Sequence, residues 1–126
     1  MSYTYSVAAL TAANTSFLNL LDANANPAKI VIKDAGNTTL AEITLTDPAG
    51  TISGSTGALT LGIATQETNA PATGTADTAE LQDGAGLVHL TLPCTQGSSA
   101  VSGECVLSSL VITAGGTVDV ISAVIG

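Results

Sequence analysis

Lys29-Ile30-Val31-Ile32-Lys33-Asp34-Ala35-Gly36-Asn37-Thr38-Thr39-Leu40-Ala41-Glu42-Ile43-Thr44-Leu45 decides the fold class. On either side of Asp34-Ala35-Gly36-Asn37 the residues follow a period of two, rich in isoleucine, valine, threonine and leucine. The tetrad between them carries turn formers. Two alternating runs around such a turn predict a β-hairpin. Asp47-Pro48-Ala49-Gly50 is expected to close its second strand, and residues 47–57 to form a loop rich in Gly, Ser and Thr.

Upstream the period is different. Leu10, Ala13, Phe17, Leu20 or Leu21, and Asn24 recur at three- and four-residue steps, and alanines fill positions 8, 9, 12 and 13. This predicts a helix over about residues 7–23, its apolar stripe laid on a sheet. Thr4 and Ser6 are both candidate caps for its start. Pro27 ends it and pushes Asn26 toward an extended backbone.

Downstream the short alternating runs continue. Leu59, Leu61 and Ile63 alternate within residues 58–64, a loop spans 65–74, and Ala79 and Leu81 point inward from residues 75–82. Asp83-Gly84-Ala85-Gly86 is a second hairpin turn, and residues 87–92 return to Pro93. A polar loop joins Cys94 to Cys105. Residues 105–113 form an apolar run, Ala114-Gly115-Gly116 turns the chain, and Val118, Val120, Ser122 and Val124 mark the last strand. One helix followed by short strands separated by turns predicts a mainly β protein, an antiparallel β-sandwich or barrel of about seven to eight strands. Residues 1–6 form an extended N-terminal arm, and 7–126 a single β domain that includes the helix.

Composition narrows the function classes. The 126 residues carry two cations, Lys29 and Lys33, against ten carboxylates, for a net charge of -8. Such a chain has no basic surface to neutralise phosphates, so nucleic acid is not an expected partner. No stretch reaches the roughly 18 apolar residues of a membrane helix, and the N-terminus lacks the charge and cleavage pattern of a signal peptide. Only Tyr3, Tyr5 and Phe17 are aromatic, too few for a sugar-stacking cleft. A core of small residues gains stability by assembling with copies or partners, which favours an assembly component.

The reactive side chains are sparse. Cys94 and Cys105 flank one loop, and two readings stay open. Antiparallel neighbours bring Cα atoms to about 5.5–6 Å, where a disulfide closes after exposure to an oxidising medium. Alternatively, both are free thiols packed as small apolar groups. The spacing is far from that of a redox C-x-x-C pair. His89, the one histidine, is expected on the solvent face of its strand. One histidine and two distant cysteines do not make a zinc site. Asp77, Glu80 and Asp83 do not match a calcium loop and read as a solvated strand edge and turn. No G-x-S-x-G elbow or phosphate loop is present, so no catalytic residue, metal or cofactor is expected. Asn14-Thr15-Ser16 and Asn37-Thr38-Thr39 match the glycosylation sequon by coincidence of composition. Tyr3 and Tyr5 fall on one side of the arm, either packed on their own sheet as an edge strand or serving as anchors on a partner.

The order of segments carries a resemblance. Ala28-Lys29-Ile30-Val31-Ile32 precedes Leu40-Ala41-Glu42-Ile43-Thr44-Leu45-Thr46-Asp47-Pro48-Ala49. Gly57-Ala58-Leu59-Thr60-Leu61 and Ala72-Thr73-Gly74-Thr75-Ala76 follow, and then Leu110-Val111-Ile112-Thr113-Ala114-Gly115-Gly116-Thr117-Val118-Asp119-Val120. From about residue 10 onward, this order resembles small virion structural proteins of tailed bacteriophages, of the capsid decoration or cement kind. The motifs are strands and turns rather than catalytic signatures, and their order is more specific than any one of them. The chain departs from the family's pattern in the 84–105 region, where a cysteine-flanked loop replaces an Asp-rich turn; just ahead of it, Ala79 and Leu81 replace aromatics.

The resemblance implies a non-enzymatic protein made in the bacterial cytoplasm and carried on the capsid surface. The implied partners are the major capsid protein or other virion proteins, with a homo-oligomer on the particle. The arm and one sandwich edge would bridge neighbouring capsid subunits. The alternative is a tail, collar or fibre component, or a receptor- or carbohydrate-binding module.

Overall fold

In the computed structural model, residues 6–23, 26–101 and 103–125 are described. Helix α1 spans Val7–Leu21. Ser6 is the cap: its Oγ accepts the Ala9 N–H at 3.1 Å, satisfying one of the donors a helix start leaves free. No described helix is long and apolar enough to cross a membrane.

Nine strands follow among the described residues: β1 Lys29–Lys33, β2 Thr39–Ile52, β3 Leu59–Thr65, β4 Gly74–Thr75, β5 Thr78–Gln82, β6 Val88–Gln96, β7 Cys105–Leu107, β8 Val111–Ile112 and β9 Val120–Ile125. Seven close into a barrel in the order β1-β2-β3-β9-β7-β6-β5, with β5 returning to β1, and β4 and β8 form a separate two-stranded ribbon. Between the two expected architectures, the barrel is the one adopted. Closure replaces the two open-edged sheets of a sandwich with one continuous wall. Each barrel strand has a neighbour on both sides, but β3 and β9 share only two rungs and β6 and β7 only three, so stretches of barrel-strand edge stay unpaired there as well as on the ribbon.

The predicted hairpin of β1 and β2 is present, with Ile30 opposite Ile43 and Ile32 opposite Ala41. Asp34 builds its turn, its Oδ1 accepting the N–H groups of Gly36 and Thr38 at 2.9 and 2.8 Å. Asn37 takes the left-handed conformation at φ 67°, which asparagine tolerates better than most residues. Ile30, Ile32, Leu40, Ile43, Leu45, Leu59, Leu81 and Leu107 are fully buried and form the core. Each contributes about 2 kcal/mol through burial.

Several boundaries differ from the sequence reading. The expected strand over 75–82 divides into β4 and β5, and β6 runs through Pro93 to Gln96. Three further differences shape the barrel. First, β2 does not stop at Asp47-Pro48 but continues to Ile52. Its pairing with β3 jumps from Leu45↔Ile63 to Gly50↔Leu61, so residues 46–49 form a bulge, with Thr46, Asp47 and Pro48 exposed and Ala49 buried in the core. The bulge is tied down locally: Thr46 Oγ1 donates to the Pro48 carbonyl at 2.8 Å, and the Ala49 N–H donates to Asp22 Oδ1 at 3.0 Å. Gly62 makes room for it, because a side chain there would run into Thr46 Oγ1.

Second, the apolar run at 105–113 is two strands, β7 and β8, separated by Ser108–Leu110, and only β7 belongs to the barrel. Third, β9 bulges against β7. Val106 faces Ser122 while Leu107 faces Val120, so Ile121 is extra and the alternation inverts. Ala123 is fully buried and Ile125 packs against the core, whereas Ile121 is exposed.

Small residues let the two covers sit close. The helix lies where β2 ends: Asn14, buried, donates to the carbonyls of Gly57 at 2.8 Å and Ile125 at 3.1 Å. The ribbon lies where β2 begins. A side chain at Gly74 would stand 3.0 Å from Leu40, and Ala70, Ala76 and Ile112 join the core from this side.

Candidate functional site

Gln66 completes the wall beside an open groove. β3 and β9 pair directly only at Leu59↔Ile125 and Thr60↔Val124, and beyond these rungs the strands diverge. Gln66 fills the gap with its side-chain amide. Its Nε2 donates to the Val120 carbonyl at 3.1 Å, and its Oε1 accepts the Val120 N–H at 3.0 Å. The amide thus reproduces both hydrogen bonds of a missing backbone partner. One residue on, Val118 N–H donates to the Glu67 carbonyl at 2.8 Å.

The segment held this way forms one bank of the groove, whose volume is about 460 Å³. Glu42 and Thr44 of β2 and Thr65 of β3 line it together with Glu67, Asn69 and Pro71. Glu42 is braced by Lys29 Nζ at 3.2 Å. The groove offers carboxylate, amide and hydroxyl groups, which hydrogen-bond polar ligands. Sequence reading placed residues 65–74 in a loop and found no site there. Gln66, the residue that positions the bank, carries no motif.

The acidic cluster does not converge. Asp77 is exposed, and its backbone carbonyl accepts the Cys94 N–H. Glu80 is half-buried and takes Lys33 Nζ at 3.1 Å and Gln82 Nε2 at 3.2 Å on the same oxygen. Asp83 is buried. The expected solvated edge and turn is therefore corrected for Glu80 and Asp83: both are engaged in side-chain pairs on the barrel wall.

His89 is corrected as well. It is half-buried rather than on a free solvent face. The β5–β6 register shifts between Leu81↔Leu90 and Gln82↔Val88, so His89 is the extra residue and its ring swings to Asp83, Nε2 to Oδ2 at 2.9 Å. The other carboxylate oxygen accepts the N–H groups of Ala85 and Leu87 at 2.9 and 3.0 Å. The His89 hydrogen bond, followed by that from Leu87, holds the Asp83 carboxyl below its ordinary value. The pair fastens a hairpin turn. Among the described residues, no three His, Cys, Asp or Glu side chains gather as a metal site would require.

Cys94 and Cys105 meet on adjacent strands, which run parallel rather than antiparallel as expected. They are direct partners in the β6–β7 ladder, and both carry free thiols in this structure. Cys105 is fully buried and Cys94 half-buried against the same core. Tyr3 and Tyr5 lie outside the described residues. No family model, curated protein or solved structure matches the chain.

Proposed function

We propose that the chain is a structural protein of a tailed-bacteriophage virion that binds the outside of the capsid shell and reinforces it. The observation that carries this reading is the order of strand and turn segments from Ala28 to Val120. The fold is compatible with it: three of those segments lie in the barrel strands β1, β2 and β3, and the other two carry β4 and β8 of the ribbon. A closed barrel can be mounted on a surface while offering little continuous strand edge to unintended pairing.

The charge distribution supports the same use. Both lysines are committed to carboxylates, Lys29 to Glu42 and Lys33 to Glu80. Of the ten carboxylates, Asp83 is buried against His89, and the seven that remain leave the surface strongly acidic. An acidic exterior keeps particles soluble and mutually repelling. Contacts repeated at every symmetry-related position add to the resistance of the whole shell. Copies joined to one another on the particle gain avidity, because one bound copy holds its neighbour's site in reach.

The major capsid protein is the proposed partner, with copies of this chain as neighbours. Tyr3 and Tyr5 are the first residues to probe for that contact, on their concentration of two of the three aromatics in the chain. The second reading, a tail- or fibre-borne module that binds a receptor or carbohydrate, draws its support from the polar groove beside Gln66.

Mass spectrometry of purified virions tests the virion assignment. The chain is expected among the particle proteins, and its absence overturns the reading. Deletion of residues 1–5, which spares the Ser6 cap, is expected to leave the barrel folded and to lower occupancy on particles. Unchanged occupancy removes the arm from the docking surface.

A further inference from the structure

Cys94 and Cys105 occupy the first rung of the parallel β6–β7 pair. Parallel neighbours lie about 4.8 Å apart, inside the Cα separation of about 4.4–6.8 Å that a disulfide spans. In-register partners on adjacent strands project their side chains to the same face, and here both face the core. The residues between them, 95–104, include an irregular loop beyond Gln96. This rung is therefore where one covalent bond would lock the barrel seam.

We propose that Cys94 and Cys105 are a redox pair that closes to an intramolecular disulfide when the folded chain meets a low-molecular-weight disulfide such as oxidised glutathione. The inference stands on the β6–β7 register and does not depend on the virion reading. Cys94, the half-buried member, reacts first. Its thiolate attacks one glutathione sulfur, the glutathione S–S bond breaks, and one reduced glutathione leaves with the proton Cys94 gave up. Cys105 then loses its proton and attacks the Cys94 sulfur, releasing the second reduced glutathione. The chain loses two electrons and two protons, and glutathione gains both.

The order of attack has a physical basis. The neighbouring Cys94 thiol, and then burial, push the Cys105 thiol up, so Cys105 is a poor first nucleophile. Its attack on Cys94 is intramolecular, and proximity offsets the small thiolate fraction.

The test uses the reduced full-length chain incubated with oxidised glutathione at fixed pH. Intact mass should fall by about two units, the two hydrogens lost, with the chain still monomeric. Cleavage after Glu80 and Glu104 puts the cysteines on separate peptides, which stay linked in the oxidised chain and part on reduction. The thermal midpoint should rise by about 5–15 °C, reversibly with dithiothreitol.

Cys105→Ala should stop at a stable glutathione adduct on Cys94 with no rise in midpoint. Cys94→Ala should leave Cys105 unmodified in the folded chain. A lasting adduct on wild-type Cys94, a disulfide-linked dimer, or two thiols still open to alkylation after oxidation overturns the proposal. So does a linked chain whose midpoint does not rise.

Discussion

Removing the Gln66 amide should open the barrel where β3 and β9 part. The amide makes two hydrogen bonds to one peptide unit, at 3.1 and 3.0 Å to the carbonyl and N–H of Val120. Each such bond contributes about 1 kcal/mol net, and a polar group left without a partner at a half-buried seam costs about 1–3 kcal/mol. Gln66→Met keeps the volume and removes both bonds, so a loss of about 2–4 kcal/mol is expected. Gln66→Glu keeps an acceptor for the Val120 N–H but sets a carboxylate oxygen against the Val120 carbonyl. At pH 7 it should be at least as damaging as Met. Protonation would restore a donor. The folded pKa of that new carboxyl should therefore be raised, with its favourable contribution present below the unfolded value of about 4.3 and lost as pH rises through the folded one.

Urea unfolding followed by far-ultraviolet circular dichroism suits a chain without tryptophan. With a slope of about 1.5 kcal/mol/M, the midpoint should fall by about 1–3 M for either variant, and the Glu variant should recover relative to wild type near pH 4. Midpoints within about 0.3 M of wild type for both variants would show that the seam does not depend on Gln66.

Three further perturbations probe the scaffold. Gly50→Ala pushes a methyl group into the Thr60 carbonyl, with Leu61 Cα at 3.1 Å. Since backbone yields poorly, a loss of about 2–3 kcal/mol is expected by urea unfolding, whereas Gly54→Ala, which meets nothing within 4 Å, should stay within about 0.5 kcal/mol. Asn14→Ala removes the bonds to Gly57 and Ile125 and should cost about 2 kcal/mol. It should speed amide exchange in α1 ahead of the barrel, and uniform exchange across both would contradict the docking role. Asp83 has a folded pKa below its unfolded value of about 3.9, so its contribution is complete above about pH 4 and lost as pH falls through the folded value. Asp83→Asn should flatten that acid limb, and superimposable pH–stability curves would refute the assignment.

Local pattern was enough for the elements whose stability is local. Ile30 and Ile32 alternate against Lys29 and Lys33, and the turn at Asp34–Asn37 carries its own chemistry, so the β1–β2 hairpin could be read directly. The helix was equally legible from its spacing. What escaped reading depends on partners distant in the chain. Asp47-Pro48 looks like a terminator, yet β2 passes through it because Gly62 leaves space for the bulge.

The inversions at His89 and Ile121 follow from one-residue bulges, and a shift of one residue moves a side chain to the other face. A glutamine that stands in for a peptide unit has no sequence signature, so Gln66 and the groove beside it could not be anticipated. The cysteine pair was visible as a pair. The parallel register that puts the two on one rung was not, because the described part of the β6–β7 connection holds no helix to announce a crossover.

The most direct test of the capsid-decoration account is a cryo-electron microscopy reconstruction of purified virions, with the shell symmetry applied and then relaxed. The account predicts seven-stranded barrel density on the outer face of the shell, repeated at symmetry-related positions and in contact with capsid subunits. A shell bare of that density, with the barrel confined to the tail or missing from the particle, would contradict it.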